Sequence, residues 1–442
     1  MKRFLFIGMC MALLGSACTK EWLQDYTADP ARPLEVSVKV LLPSAQVSYT
    51  MAQGDALPRL TSIFLQQMTG ADRQSLAHNR YAQIGEADFD VVWADNGYAG
   101  GMKDLQLIIE ATEGTSPRYC GIARIMMAQY LGMFTDIWGD IPYGNALKGA
   151  DDYNPTYVSQ QQIYTTIEEM LTTAISELGQ PVGAIAPGSE DLIYGGNIAK
   201  WTKLAWSLKA RYLNHLSKKG SLYRPADILT AVSNGMSSSA DNAKLTFLAA
   251  PNNNPWYQFN TQRAGYILQY GTMYDRMTTK NDPRIPIFRS ADSTEMPYYG
   301  SETSPVNWMT YAELLFIKAE VESRQNAGTL AATLDAAVEA HMAEVGVSTA
   351  DAATYVGALP ASPALSDVMY EKHLALFSHV EAWTDWRRTG FPTLSVYPGA
   401  QLPEIPRRMP YPQGERLYND NFINLEGNNA FLTRHWWDDP QG

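Results

Sequence analysis

Three cysteines in 442 residues leave no room for a disulfide framework. Cys10 lies inside an N-terminal apolar run, Cys18 directly follows that run, and Cys120 stands alone in the body. A chain this long can bury a core large enough to do without bridges. The six histidines are scattered and no C-x-x-C occurs, so zinc is not expected. There is no G-x-S-x-G, H-E-x-x-H or P-loop, and no G-x-G-x-x-G follows a strand; a cofactor is not expected either. Positive charge is also short. The formal net charge is −12, and would be −14 without Lys2 and Arg3. That argues against nucleic acid as a partner and against docking on anionic lipid through a basic face. No apolar run approaches the roughly 20 residues needed to cross a bilayer.

What is present begins with an export signal. Lys2-Arg3, the apolar run Phe4 to Leu14 and small Gly15-Ser16-Ala17 read as a cleaved segment 1–17. Cys18 then stands where a lipobox places its acylated cysteine, although Leu14 precedes it by four residues where three is usual. Thr19-Lys20-Glu21 with Asp25 resembles the Lys-acid tag that directs such lipoproteins outward. Asp29 to Pro43 is punctuated by proline and is expected to be extended.

Beyond it the periodicity is helical. Leu57, Leu60, Phe64 and Met68 form one stripe, and Met102, Leu105, Ile109 and Thr112 another. Between them, VVWADNGYAGG reads as a turn at Asn96-Gly97. Ser116-Pro117 is a capping pair for a helix striped by Tyr119, Ile122, Met126, Tyr130, Met133 and Ile137. Gly139, Pro142 and Gly144 break that helix into an aromatic, acidic elbow carrying Asp136, Trp138, Asp140 and Tyr143. Ser159, Asn197 and Thr310 are further caps. Tyr370, Leu374, Phe377 and Glu381 share a helical face. The segment 246–310 is rich in Asn and Pro and reads as a loop-rich insert.

Several of these stretches are similar to the ordered motifs of the SusD/RagB-like family. FTDIWGDIPYGNAL resembles its T-D-x-x-G-D-x-P-Y-x-x-A-L segment, and WTKLAWSLKARYL its W-x-K-x-x-x-S-L-K-A-R helix. TYAELLFIKAEVE and HVEAWTDWRRTGFP follow, the latter with Ala382 where the family has Arg. IPRRMPYPQGERLYNDN matches the closing P-x-R-x-x-Y-P-x-x-E-x-x-x-N. Together they cover nearly the whole chain. The resemblance implies an all-α fold, an array of TPR-like helix pairs capped by long irregular loops, in one domain from 18 to 442. It implies an outer-membrane lipoprotein, anchored through Cys18 and facing the cell surface. Such a protein passes a nutrient to a SusC-like TonB-dependent transporter, over which it sits as a lid.

An oligosaccharide is the expected nutrient, with a peptide as the alternative; whether calcium is bound stays open. Sugar rings stack their C–H faces on aromatics while amides and acids take the hydroxyls. Three groups offer that mixture: Trp93, Asn96 and Tyr98; Trp256 and Tyr257, flanked by Pro255 and Gln258; and Tyr299 and Trp308, beside Tyr298. Trp93 is expected to be an exposed platform. Trp201, Trp206, Trp383 and Trp386 lie on helical stripes and are expected in the core. A third reading, an all-α glycoside hydrolase, would need two of Asp136, Asp140, Glu381 and Asp385 facing one cleft. The expectation is instead structural. Asp136 and Asp140 would satisfy elbow amides, and Glu381 and Asp385 would pair with Arg211, Arg387 or Arg388.

Overall fold

A computed structural model describes residues 36–149, 152–425, 427 and 429–439. The export signal, Cys18 and the Pro-punctuated segment as far as Glu35 lie outside the described residues. The principal helices are α1 (Val38–Gly54), α2 (Ala56–Phe64), α3 (Lys103–Thr112), α4 (Pro117–Trp138), α5 (Gln160–Leu178), α6 (Ile198–His215), α7 (Pro225–Asn234), α8 (Tyr311–Arg324), α9 (Leu330–Val345), α10 (Thr349–Val356), α11 (Leu365–Ala375) and α12 (Val380–Thr389). From α3 to α9 each helix packs on the next, and α11 closes on α8, so the fold is an all-α array of helix pairs. Strands are minor: β1 (Thr69–Gly70), β2 (Ile141–Pro142), β3 (Tyr157–Val158), β4 (Ala243–Thr246), β5 (Ile267–Leu268) and β6 (Pro305–Met309) form three antiparallel pairs, β1–β5, β2–β3 and β4–β6.

Local signals and packing disagree at several points. The Pro-punctuated segment is helical from Val38 despite Pro43, because Leu41, Leu42, Ala45, Tyr49 and Ala52 bury one face. Asn96-Gly97 is no turn. It lies inside a π-helical segment, Val91–Met102, that runs into α3. Its glycines serve close packing: a Cβ on Gly97 would come 2.3 Å from the Phe134 ring, and one on Gly101 2.1 Å from the Tyr130 hydroxyl. The Ser116 hydroxyl accepts from Ile185 N instead of capping α4, whereas Ser159, Asn197 and Thr310 do cap their helices. The stripe from Tyr370 to Glu381 is split between α11 and α12, because Ser378 turns left-handed (φ 58°) and His379 caps the new helix.

The insert is less loop-like than its composition. The β4–β6 ladder ties its base. Short helices at Pro255–Gln262, Thr272–Thr279 and Ile285–Phe288 bury Trp256, Met273, Tyr274, Met277 and Phe288 in a second core. Arg284 fixes this unit to the array, since its guanidinium bridges Asp282 (2.6 Å) and Glu371 of α11 (2.7 Å) in full burial.

The elbow after α4 is closed by distant chain. The Trp138 indole donates to Pro410 O (2.9 Å), Met409 N to Ile137 O (3.1 Å) and Tyr411 OH to Asp140 O (2.6 Å). Arg387 donates to Asp136 O (2.5 Å) while stacking 3.7 Å over Trp383. The Asp140 carboxylate accepts from Gln160 N at the start of α5 (2.8 Å), an amide partner as expected. Asp136 differs. Its carboxylate takes the Tyr164 hydroxyl (2.6 Å) and the Trp437 indole (2.8 Å), not amides, and lies 3.3 Å from His215 Nδ1. Glu381 also departs from expectation, because its partner is His215 Nε2 (2.6 Å) and not an arginine. Asp385 does bind Arg388 (2.5 Å), and Lys372 as well (2.7 Å).

His215 is therefore an imidazolium held between two buried carboxylates. Burial alone would lower its pKa, but Glu381 and then Asp136 raise it to about 9 from 6.5. A raised folded-state pKa stabilises the fold fully below pH 6.5, and the contribution disappears as pH rises through about 9. One pKa unit is about 1.4 kcal/mol, so this term is on the order of 3 kcal/mol. Thermal melts should show the midpoint falling between pH 7 and 10. A flat profile would mean that His215 is neutral in the folded protein.

Candidate functional site

The aromatic groups singled out from the sequence sit mostly inside the fold. Trp308 is fully buried, its indole donating to Thr50 Oγ1 (3.0 Å) and its ring edge-on to Tyr49. Trp256 is 2% exposed and bonded to Ser378 Oγ (2.6 Å). Trp93 is 5% exposed. It packs among Tyr98, Phe134, Trp138 and Tyr411, with its indole donating to Glu415 Oε1 (3.2 Å). The expectation of an exposed platform at Trp93 is thus corrected, for the helical winding of Val91–Met102 turns the ring inward. Tyr98 and Asn96 are half-buried; Tyr98 OH donates to Pro142 O (2.6 Å), and Asn96 O accepts from Tyr130 (2.9 Å). Tyr257 is half-buried, its amide held by the Asn254 cap. Tyr299 packs on Phe288 and Phe377 beside His341. These three groups do not line one common hollow.

A cleft forms beside the second group instead. It holds about 610 Å³, within the range of small-ligand sites, and is walled by α1, α2, the segment 74–89 and the helix Pro255–Gln262. That helix presents Pro255, Gln258, Phe259 and Gln262 to the cleft, an i, i+3, i+4, i+7 face, and sends Trp256 into the core. Arg59 lies 4.5 Å over the Phe259 ring and pairs with Asp55; Arg263 approaches the same ring at 5.7 Å. Gln74, Gln83 and His78 supply the opposite wall. Burial lowers the His78 pKa, only partly offset by Asp88, so a neutral imidazole faces the cleft at neutral pH. Arg73, Tyr81 and Gln83 hold positive φ (45°, 54° and 57°), placing backbone strain along this wall. The lining combines two aromatic rings, Phe89 and Phe259, apolar patches at Leu60, Ile63 and Ile84, and the side-chain amides of Gln74, Gln83, Gln258 and Gln262. Sequence reasoning named Gln258 but passed over Phe259, Gln262, Gln74 and Gln83. The signal was available in Asn254-Pro255, a cap and first-turn pair that starts a helix.

A family model, SusD-like_2, described as starch-binding associating with outer membrane, matches residues 30–301 and 292–412. The chain belongs to the SusD-like family. This is a family of outer-membrane-associated binding proteins, not enzymes. Solved SusD-like structures share the fold. A SusD/RagB family protein of Bacteroides thetaiotaomicron is 23% identical with a TM-score of 0.76, covering 91% of this chain and 99% of that one. A chitin-binding SusD homolog of Flavobacterium johnsoniae is 22% identical, TM-score 0.76, covering 91% and 97%. A SusD homolog of Bacteroides fragilis is 24% identical, TM-score 0.74, covering 91% and 99%. No curated protein matches.

The four acidic residues that a hydrolase would need in this SusD-like chain, Asp136, Asp140, Glu381 and Asp385, all have structural partners. Asp136, His215 and Glu381 offer ligand atoms within 4.8 Å of one another, a donor set of the kind that holds metals. Both imidazole nitrogens, however, already face a carboxylate, and the imidazolium supplies the positive charge a metal would bring. Nor do Asp136 and Glu381 face an open cleft; both are buried. Trp93→Ala should consequently act on stability. Emptying a core Trp site costs about 3–5 kcal/mol, so thermal or denaturant melts should show a steep loss. A variant melting within a degree or two of the wild type would return Trp93 to the surface.

Proposed function

We propose that this protein captures an oligosaccharide nutrient at the cell surface and delivers it to a SusC-like TonB-dependent transporter, with the Phe259 cleft as the capture site. The observation that carries the reading is the cleft itself: about 610 Å³ in which the Phe259 and Phe89 rings share the lining with Gln74, Gln83, Gln258 and Gln262. Amides both donate and accept, which suits hydroxyl rims, and the apolar wall suits the C–H face of a sugar ring. Membership of a glycan-binding family, and the chitin-binding description of one structural neighbour, support the substrate class. A glycan and peptide array followed by calorimetry tests it. Gln258→Ala with Gln262→Ala should weaken binding of the best saccharide at least tenfold, which is about 1.4 kcal/mol or more, with an unchanged melt because both side chains are exposed. Selective capture of peptides, or hydrolysis of the bound glycan, would displace this reading.

Anchoring through Cys18 completes the proposal. Acyl chains on Cys18 would hold the mature protein at the outer membrane, and the tether would let it close over the transporter as a lid. Cys18→Ala should leave the protein in the soluble fraction, since no helix among the described residues is long and apolar enough to cross a membrane. Retention of the variant in the membrane at high salt and without the transporter would show another anchor.

A further inference from the structure

Tyr153 and Tyr418 are 74% and 78% exposed, and no other aromatic side chain among the described residues is as open. They belong to one hollow. It holds about 260 Å³ and lies between the segment 152–155 and the helix Gln413–Tyr418. The buried edges of Trp93 and Tyr98 line it, and Pro142, Ala146 and Pro155 complete its apolar surface. Its charged and amide groups are Asp152, Glu415 and Asn419, and no Lys or Arg lines it among the described residues.

The two walls are latched together. Asn419 Nδ2 donates to Pro155 O (3.0 Å), Asp420 N to Asn154 Oδ1 (2.9 Å) and Asn421 Nδ2 to Asn154 O (2.7 Å). Glu415 is held by Trp93, by Tyr157 OH (2.8 Å) and by Asn419 (3.0 Å). The hollow is thus built on an ordered frame, while the tyrosines contribute little to that frame at such exposure. Two rings left in water at the rim of a preformed hollow are the arrangement that stacks a flat ligand face.

We propose that this hollow is a second saccharide site, separate from the Phe259 cleft, that takes a single uncharged or amine-bearing sugar ring between Tyr153 and Tyr418. The ligand class rests on the glycan-binding reading; the charge preference does not. Asp152 and Glu415 line this hollow with no Lys or Arg among its described lining residues, which disfavours uronates and sulfated sugars, whereas the main cleft carries Arg59 and Arg263. Phe89 lines the main cleft and Trp93 lines this one, four residues on, with Trp138 packed against both rings. The two hollows therefore back onto one short segment. A glycan chain engaging both would gain from the second contact being intramolecular.

The test uses the full chain purified in detergent, with neutral hexose oligomers, N-acetylated and free amino-sugar oligomers, and uronate oligomers as probes. Calorimetry should give two sites for a neutral or amino-sugar probe. Tyr153→Ala with Tyr418→Ala should remove one of them, or weaken a longer oligomer at least tenfold, with an unchanged melt. Tyr418→Trp should retain the site, and uronate oligomers should not respond to the tyrosine pair. If the double variant binds every probe like the wild type while Gln258→Ala with Gln262→Ala abolishes binding, the second site is overturned and the main cleft stands. A response of uronate binding to the tyrosine pair overturns the charge preference. If no saccharide binds the wild type, the glycan reading and this site fall together.

Discussion

The array depends on charges buried at its centre. His215 lies between Asp136 of α4 and Glu381 of α12, while Arg211, one turn earlier on α6, makes a two-pronged pair with Glu313 of α8 (both contacts 2.6 Å). Glu320, two turns along α8, receives Arg388 and Asn214, and Asp385 joins Arg388 to Lys372 of α11. Five helices that are far apart in sequence meet through these contacts. Desolvating so many ions is costly, and similar volumes of hydrocarbon can be as stable. What the network adds is mutual dependence. Removing one partner strands another charge in the core, so α4, α6, α8, α11 and α12 have one consistent arrangement.

The proposed capture site lies away from this charged centre, between the first two helices and segments outside the helix pairs. The Phe259 cleft takes one wall from the insert, which is fastened by the β4–β6 ladder and by Arg284. Its other walls are α1, α2 and the segment 74–89 that precedes the π-helical stretch. None of these walls carries a charge from the central network. The separation allows loop residues to change the ligand without disturbing the fold, as expected where function sits on loops over a fixed scaffold.

The same logic accounts for the elbow. Asp136, Trp138 and Asp140 carry the aromatic and acidic character expected of a binding site. They are instead the point where the tail from Ile405 to Tyr411 closes over the end of α4. Burial makes such a cluster structural, whereas an aromatic such as Tyr153 on the open rim stays 74% exposed.

Helical periodicity and caps determined by themselves that the chain is mostly helical, because a 3.6-residue apolar stripe has to be buried whatever its neighbours; the array of helix pairs was implied only by the resemblance of its ordered motifs to the family. Arg211, Glu381, Asp385 and Arg388 were likewise legible as structural. Their pairing was not, since spacing along a chain says nothing about which carboxylate meets which guanidinium across 100 residues. Exposure was the least legible property. Trp93 sits among turn-forming residues, yet packing of Gly97 and Gly101 against α4 winds that segment into a helix and draws the ring inside. Phe259 looks like one apolar residue in a polar run until the Asn254 cap sets the helix phase that faces it into a cleft. Whether an aromatic is core or platform depends on what the rest of the chain places over it, and only the tertiary structure decides that.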